Sequence, residues 1–338
     1  MRLETADLAT LRQPQAQALE RDLFCIKLVR QCTDLIDELQ RERGLGQLLL
    51  GQMAESYAAA LCEQIRCSTD AEQTLRQQLR QLEQTPLASE PGLSELMQRG
   101  LALLHSPGLA DLAAMRRSLL LLSCSREQMF EAYCELIAQL LGLVEAVGQA
   151  SGEPELAQQL ATLRHLMWGK EYSGQERALG AGLYASGRHD ARIWQQIGRL
   201  IETQQRCASA FICSARPGAR KRLNDSLQLT TQLELEALRQ QLADSPDQAP
   251  LDSAMGETWF CGCSRRMNEL REVERGLLQE MQQELEQRQA QQLARRAAAE
   301  LAQTSRLPPG TVETVLRTAA AWLTGASPGA RPQQGSPA

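Results

Sequence analysis

Three arginines fall on the apolar faces of segments whose spacing is helical. The series Ile36, Leu39, Arg43, Gly46, Leu50 steps by threes and fours, so Arg43 stands in line with aliphatic neighbours and one turn from a glycine. Trp259, Cys263, Arg266, Leu270, Val273, Leu277 steps the same way and aims Arg266 at the core. Ser173, Arg177, Gly180, Tyr184 sets Arg177 among small residues with a tyrosine hydroxyl nearby. An arginine keeps its charge in a protein, and burying it unpaired is strongly unfavourable. Each therefore needs an anion or hydrogen-bond partners. A carboxylate such as Glu38, Glu42, Glu176, Glu269 or Glu274 would make a structural ion-pair network, and spacing alone weighs toward that reading. Alternatively, arginines from two helices leave donors free for a small planar oxyanion, whose shape the guanidinium fork matches.

Other chemistry finds little support. Cys261-Gly262-Cys263 has no second cysteine pair or histidine near it, and Cys263 is on the apolar stripe, so two packed thiols are expected and no metal. His105, His165 and His189 are scattered, and no nucleophile with a base can be assembled from local spacing. Gly180, Gly182 and Gly187 lie in or just after a helix, not between strand and helix, so they form no phosphate loop. No enzyme activity and no cofactor are expected. The basic run Arg216, Arg220, Lys221, Arg222 at the Pro217-Gly218 turn reads as a solvated loop.

The elements that must position the arginines are helical. Leu, Ala, Gln, Glu and Arg dominate, Phe and Tyr number four each, and no stretch alternates with period two. Prolines and glycines divide the chain into predicted helices at 15–66, 69–84, 93–104, 109–149, 155–185, 189–215, 219–243 and 251–304, with a short one at 310–324. Antiparallel helices this long pack as two up-and-down four-helix bundles sharing long helices, with a short helical C-terminal extension. Residues 325–338, with three Pro, three Gly and two Ser, are expected to be a disordered tail. The net charge of −5 argues against a surface built wholly for nucleic acid or anionic lipid. The N-terminus lacks an apolar signal core and no run is long enough to span a bilayer, so a cytoplasmic protein with ten free thiols is expected.

An internal echo singles out the same arginines. Glu42-Arg43-Gly44-Leu45-Gly46 recurs as Glu176-Arg177-Ala178-Leu179-Gly180 and, more loosely, as Glu274-Arg275-Gly276-Leu277, whose face is more polar and reads as solvated. A glycine inside a helix costs about 1 kcal/mol against alanine, so a close approach to the backbone is expected at these glycines.

These strings carry a family resemblance. Gln40-Arg41-Glu42-Arg43-Gly44-Leu45-Gly46, then Gly169-Lys170-Glu171-Tyr172-Ser173-Gly174-Gln175-Glu176-Arg177-Ala178-Leu179-Gly180, then Trp259-Phe260 leading to Ser264-Arg265-Arg266-Met267-Asn268 and Leu270-Arg271-Glu272-Val273-Glu274, resemble in order and separation three motifs of the NIT domain. That domain is the nitrate- and nitrite-sensing module of bacterial receptors. The chain departs from the pattern at Met267-Asn268, where Ile-Asp is frequent, and at Ser264, where Thr is usual. The resemblance implies a helical sensor over residues 15–285 that binds nitrate or nitrite between helices. Arg43 is the first ligand contact it implies and Arg177 and Arg266 the second ones, with Arg41 turned away. The ligand would bridge two arginines. Its removal would leave like charges facing each other, and a helix running from Trp259 to Thr304 would carry a shift toward the C-terminus.

In soluble nitrate-responsive antiterminators the sensor precedes an RNA-binding ANTAR domain. Residues 286–324 here are alanine-rich, with Arg288, Arg295, Arg296, Arg306 and Arg317 set against Glu284, Glu286, Glu300 and Glu313, and Trp322 as the lone aromatic. They read equally as a reduced ANTAR-like effector for leader RNA or as an extension that caps the bundle or mediates a homodimer. A helical scaffold in which the arginines only pair with glutamates is the remaining alternative.

Overall fold

The computed structural model describes residues 4–52, 55–85 and 91–304. Eleven helices are present among them: α1 Glu4–Gln52, α2 Glu55–Glu83, α3 Pro91–Leu104, α4 Pro107–Ala110, α5 Leu112–Leu120, α6 Arg126–Ala150, α7 Pro154–Ala185, α8 Ala191–Ser214, α9 Pro217–Ser226, α10 Leu229–Ala243 and α11 Met255–Thr304. Among the described residues there is no strand, only an isolated bridge between Arg188 and Pro250. None of these helices is long and apolar enough to cross a membrane. The predicted helix at 310–324, the tail at 325–338, and Arg306, Arg317 and Trp322 lie outside the described residues.

The chain divides into two compact units, one made of Met1–Leu23 with Glu280–Ala338, the other of Phe24–Gln279. In the first, Leu19, Met281 and Leu285 are buried. The second holds all three arginines and consists of two sets of helices. In one set α1, α2, α3 and α6 bury Leu35, Leu39, Leu75, Leu79, Leu96 and Ile137. In the other, α7, α8, α10 and α11 pack Ala181, Leu183, Tyr184, Ile197, Leu235, Leu242, Trp259 and Cys263 into one core, to which α1 adds Leu48. One end of this set is closed by main-chain bonds. His189 donates to the Ala249 carbonyl and Gln248 to that of His189. Gly187, at φ +70°, turns the chain out of α7 where a side chain would be strained.

Several boundaries differ from the sequence reading. The expected break near residues 67–68 does not occur, because Ser68 and Thr69 return their hydroxyls to the carbonyls of Gln64 and Ile65 and stay helical. The predicted helix 109–149 is three helices, with α6 started afresh by a capping box in which Ser125 and Gln128 serve each other's backbone. Pro14 lies inside α1 rather than at its start, at the loss of one backbone bond. The basic run at 216–222 is not a loop. Arg216 caps α9, and Lys221 reaches Asp225 one turn on.

Candidate functional site

Arg43 is fully buried, as its stripe requires. Its Nη1 donates to Glu171 Oε1 at 2.6 Å and its Nη2 to Glu171 Oε2 at 3.1 Å, a bidentate pair between α1 and α7. Nη1 also lies 3.0 Å from Cys134 Sγ of α6, and Phe130 places its ring 5.6 Å below the guanidinium. Burial opposes the charge, but Glu171 and then Cys134 more than offset it, and the pKa is raised. Gln40 and Gln175 donate their amides to the same carboxylate, each at 2.8 Å.

Arg177 is equally buried, with different company. It donates to the Gln40 carbonyl at 2.6 Å and to Ser264 Oγ at 2.9 Å, and lies 4.8 Å over the Phe260 ring. Among the described residues no carboxylate touches it. Burial, and next the charge of Arg43, bring its pKa down to about 10. The Nε of each arginine is buried without a partner. Glycines allow this crowding: a Cβ on Gly174 would meet Arg43 Nη2 at 2.8 Å, and one on Gly44 would meet Phe260 at 2.6 Å and Arg177 Nε at 3.2 Å. The glycine of the second echo is filled likewise, since a Cβ on Gly180 would overlap the indole of Trp259.

Arg266 is not fully in the core. Its side chain is 22% exposed, its nearest carboxylate is Glu269 at 3.9 Å, and its pKa is lowered by burial, with Glu269, Arg239 and Glu176 as its charged neighbours. The described contacts join Arg43 to Arg177 and not to Arg266. Arg41 stays at the surface over Glu38.

In three other buried ionic clusters around this seam every cation meets a carboxylate. Glu42 receives Arg116 at 2.7 Å and 2.9 Å, together with Ser68 and Tyr133. Glu176 receives Arg239 on both oxygens at 2.8 Å. Lys170 bridges Asp37 and Glu274, and Asp37 takes Arg271 as well, which also reaches Glu38 at 3.4 Å, across α1, α7 and α11. Glu274 is thus buried, and the third echo is solvated only at Arg275. Among these described clusters, that of Arg43, Arg177 and Glu171 alone holds a cation, Arg177, that no carboxylate touches, two arginines standing against one carboxylate. The thiol of Cys134, pushed up to about 11 chiefly by burial, does not offset it.

Sequence reasoning missed Glu171, Lys170, Arg116 and Arg239. For each of them a signal was present. Met167, Glu171, Gly174, Ala178 and Leu163, Leu166, Lys170, Ser173 step by threes and fours, as do Leu109, Leu112, Arg116, Leu119 and Leu235, Arg239, Leu242.

Comparison with known proteins gives three matches. A family model described as "Nitrate and nitrite sensing" (NIT) matches residues 34–282. The chain is 30% identical over 274 residues to the nitrate regulatory protein of Klebsiella oxytoca, covering 80% of this chain and 65% of that protein, so it spans about two thirds of that relative's length. It is also similar to the solved structure of the NasR transcription antiterminator, at a TM-score of 0.73 and 26% identity over 96% of this chain and 82% of that one.

Proposed function

The chain belongs to the NIT family, nitrate and nitrite sensing proteins, and from that premise we propose that its Arg43 and Arg177 seam binds one nitrate or nitrite ion and thereby regulates nitrate assimilation. One observation carries this reading. Arg177 is a fully buried cation beside a second cation, and among the described residues no carboxylate touches it, whereas every cation of the other buried ionic clusters meets one. One monovalent anion brings the seam to neutrality. A planar oxyanion can take the vacant Nε donors of both arginines while Glu171 keeps the fork of Arg43. Arg266, partly exposed and beside Glu269, belongs to the rim of such a site.

The scaffold reading has one observation in its favour, the saturated pair of Arg43 with Glu171. It leaves the burial of Arg177 without a purpose. Calorimetric titration of the full chain with nitrate, nitrite and chloride separates the two. Saturable heats with nitrate and nitrite, weak heats with chloride, and their loss in Arg177→Met are the expected result. Equal weak heats from all three ions would remove the sensor reading.

For the output, the relatives named as a nitrate regulatory protein and a transcription antiterminator support a regulatory role, with leader RNA as partner of residues 286–324 and a homodimer as the working unit. α11 carries Ser264, the Arg177 partner, and is helical on to Thr304, the route proposed for the signal. A salt-steep gel shift on leader RNA that vanishes on deleting residues 285–338 tests this.

A further inference from the structure

We infer that Glu171 is the residue that selects the valence of the bound anion, holding the seam at a single excess positive charge so that monovalent oxyanions are taken and divalent ones such as sulfate are refused. The inference rests on the proposed anion site and goes beyond it. Sulfate offers oxygens at much the same spacing as nitrate, so hydrogen-bond geometry around two guanidinium groups does not by itself exclude it. Charge does. With both arginines protonated and Glu171 ionised, one nitrate closes the balance, whereas a divalent ion leaves a buried negative charge after surrendering a heavier hydration shell.

The structure holds Glu171 in place for this task. It is fully buried, both oxygens face Arg43, and amides from Gln40 on one helix and Gln175 on its own complete its shell, so it does not swing away to make room for a second negative charge. The remaining charges near the seam do not alter the count. Glu176 is taken up by Arg239, Arg41 lies over Glu38 at the surface, and Arg266 faces Glu269. The thiols of Cys134 and Cys263 are raised by burial and stay neutral.

The test is competitive titration of the full chain with nitrate and with sulfate, in wild type and in Glu171→Gln, which keeps the shape and an oxygen acceptor for Arg43 but raises the excess charge to two. The preference for nitrate over sulfate is expected to shrink by at least about tenfold in Glu171→Gln, through tighter sulfate binding. A second variant reads the same count from the other arginine. Ser264→Asp places a carboxylate on Arg177, brings the empty seam to neutrality, and is expected to weaken nitrate by about 100-fold or more while raising the melting temperature of the ligand-free protein. Wild-type protein that binds nitrate, with an unchanged nitrate-to-sulfate ratio in Glu171→Gln or undiminished nitrate affinity in Ser264→Asp, overturns the role of Glu171 and leaves the sensor reading standing. Wild-type protein that binds neither ion overturns both.

Discussion

Arg43→Met, Glu171→Met and the double variant form a cycle whose outcome follows from the geometry of one ion pair. Both side chains are wholly buried and meet through two hydrogen bonds of 2.6 and 3.1 Å. Removing Arg43 alone leaves a buried carboxylate with only the amides of Gln40 and Gln175 to hold it, a loss of about 3–5 kcal/mol. Removing Glu171 alone is at least as harmful, since Arg43 and Arg177 then face each other with no anion between them. The double variant removes both charges and leaves two amides short of an acceptor, about 1 kcal/mol each. It should therefore sit about 2 kcal/mol below wild type and above either single variant. The coupling energy is then at least about 4 kcal/mol. Thermal melts in a buffer free of nitrate should show each single variant about 6–20 °C below wild type, at about 2–4 °C per kcal/mol for a unit of this size. Two single losses that add in the double variant to within about 0.5 kcal/mol would show that the pair does not hold α1 to α7, and the charge count built on it would fail.

Three further outcomes are expected. Gly180→Ala drives a methyl into the indole of Trp259, which is buried and donates to the Glu176 carbonyl at 3.3 Å, so stability should drop by about 1–3 kcal/mol with a red-shifted tryptophan emission; unchanged melting and emission would show that the ring has room to move. Tyr133→Phe removes the hydroxyl that donates to Glu42, lowering stability by about 1–2 kcal/mol without changing the nitrate heat, and an altered heat would mean that the Glu42 cluster is part of the site. Burial, opposed by Lys170 and aided by Asp37, raises the Glu274 carboxyl from 4.5 to about 7, so the folded protein keeps a proton that the unfolded chain releases. Its contribution falls as pH rises from about 4.5 to about 7 and is level above that, and urea melts of Glu274→Gln should lack this slope while wild type shows it.

Local periodicity made the arginines legible, and the limits of periodicity explain what was missed. A charge on an apolar stripe announces burial whatever its partner, which is why Arg43 and Arg177 stood out. The glycines at Gly44 and Gly180 announced close approach, and Phe260 and Trp259 are what approaches. Partner identity is a different matter. Glu171 lies 128 residues from Arg43, and nothing in either helix says that these two faces meet. Arg239, between the buried Leu235 and Leu242 on one helical face, carried the same mark of burial, but its partner Glu176 lies 63 residues away on another helix. Helix ends followed where punctuation was strong, as at Pro154 and Pro217, and failed where a hydroxyl could serve either a cap or its own helix, as at Ser68 and Ser125.

The ionic contacts also show where an anion can act on this fold. Glu42 and Arg43 are adjacent on α1 and therefore face different neighbours, Glu42 toward α2, α5 and α6, Arg43 toward α6 and α7. Two ionic links thus fix α1 before any ligand arrives, and Lys170 with Asp37 and Glu274 fixes the same helix to α7 and α11. Arg177 also joins these three helices, through the Gln40 carbonyl and Ser264, but it does so as an uncompensated charge. Burial, and next the charge of Arg43, lower its pKa, so an anion that reaches Arg177 strengthens the link on which these three helices meet. In the neighbouring cluster Lys170 already meets two carboxylates, Asp37 and Glu274, so of the buried cations that join α1, α7 and α11 it is Arg177 that stands to gain from an anion.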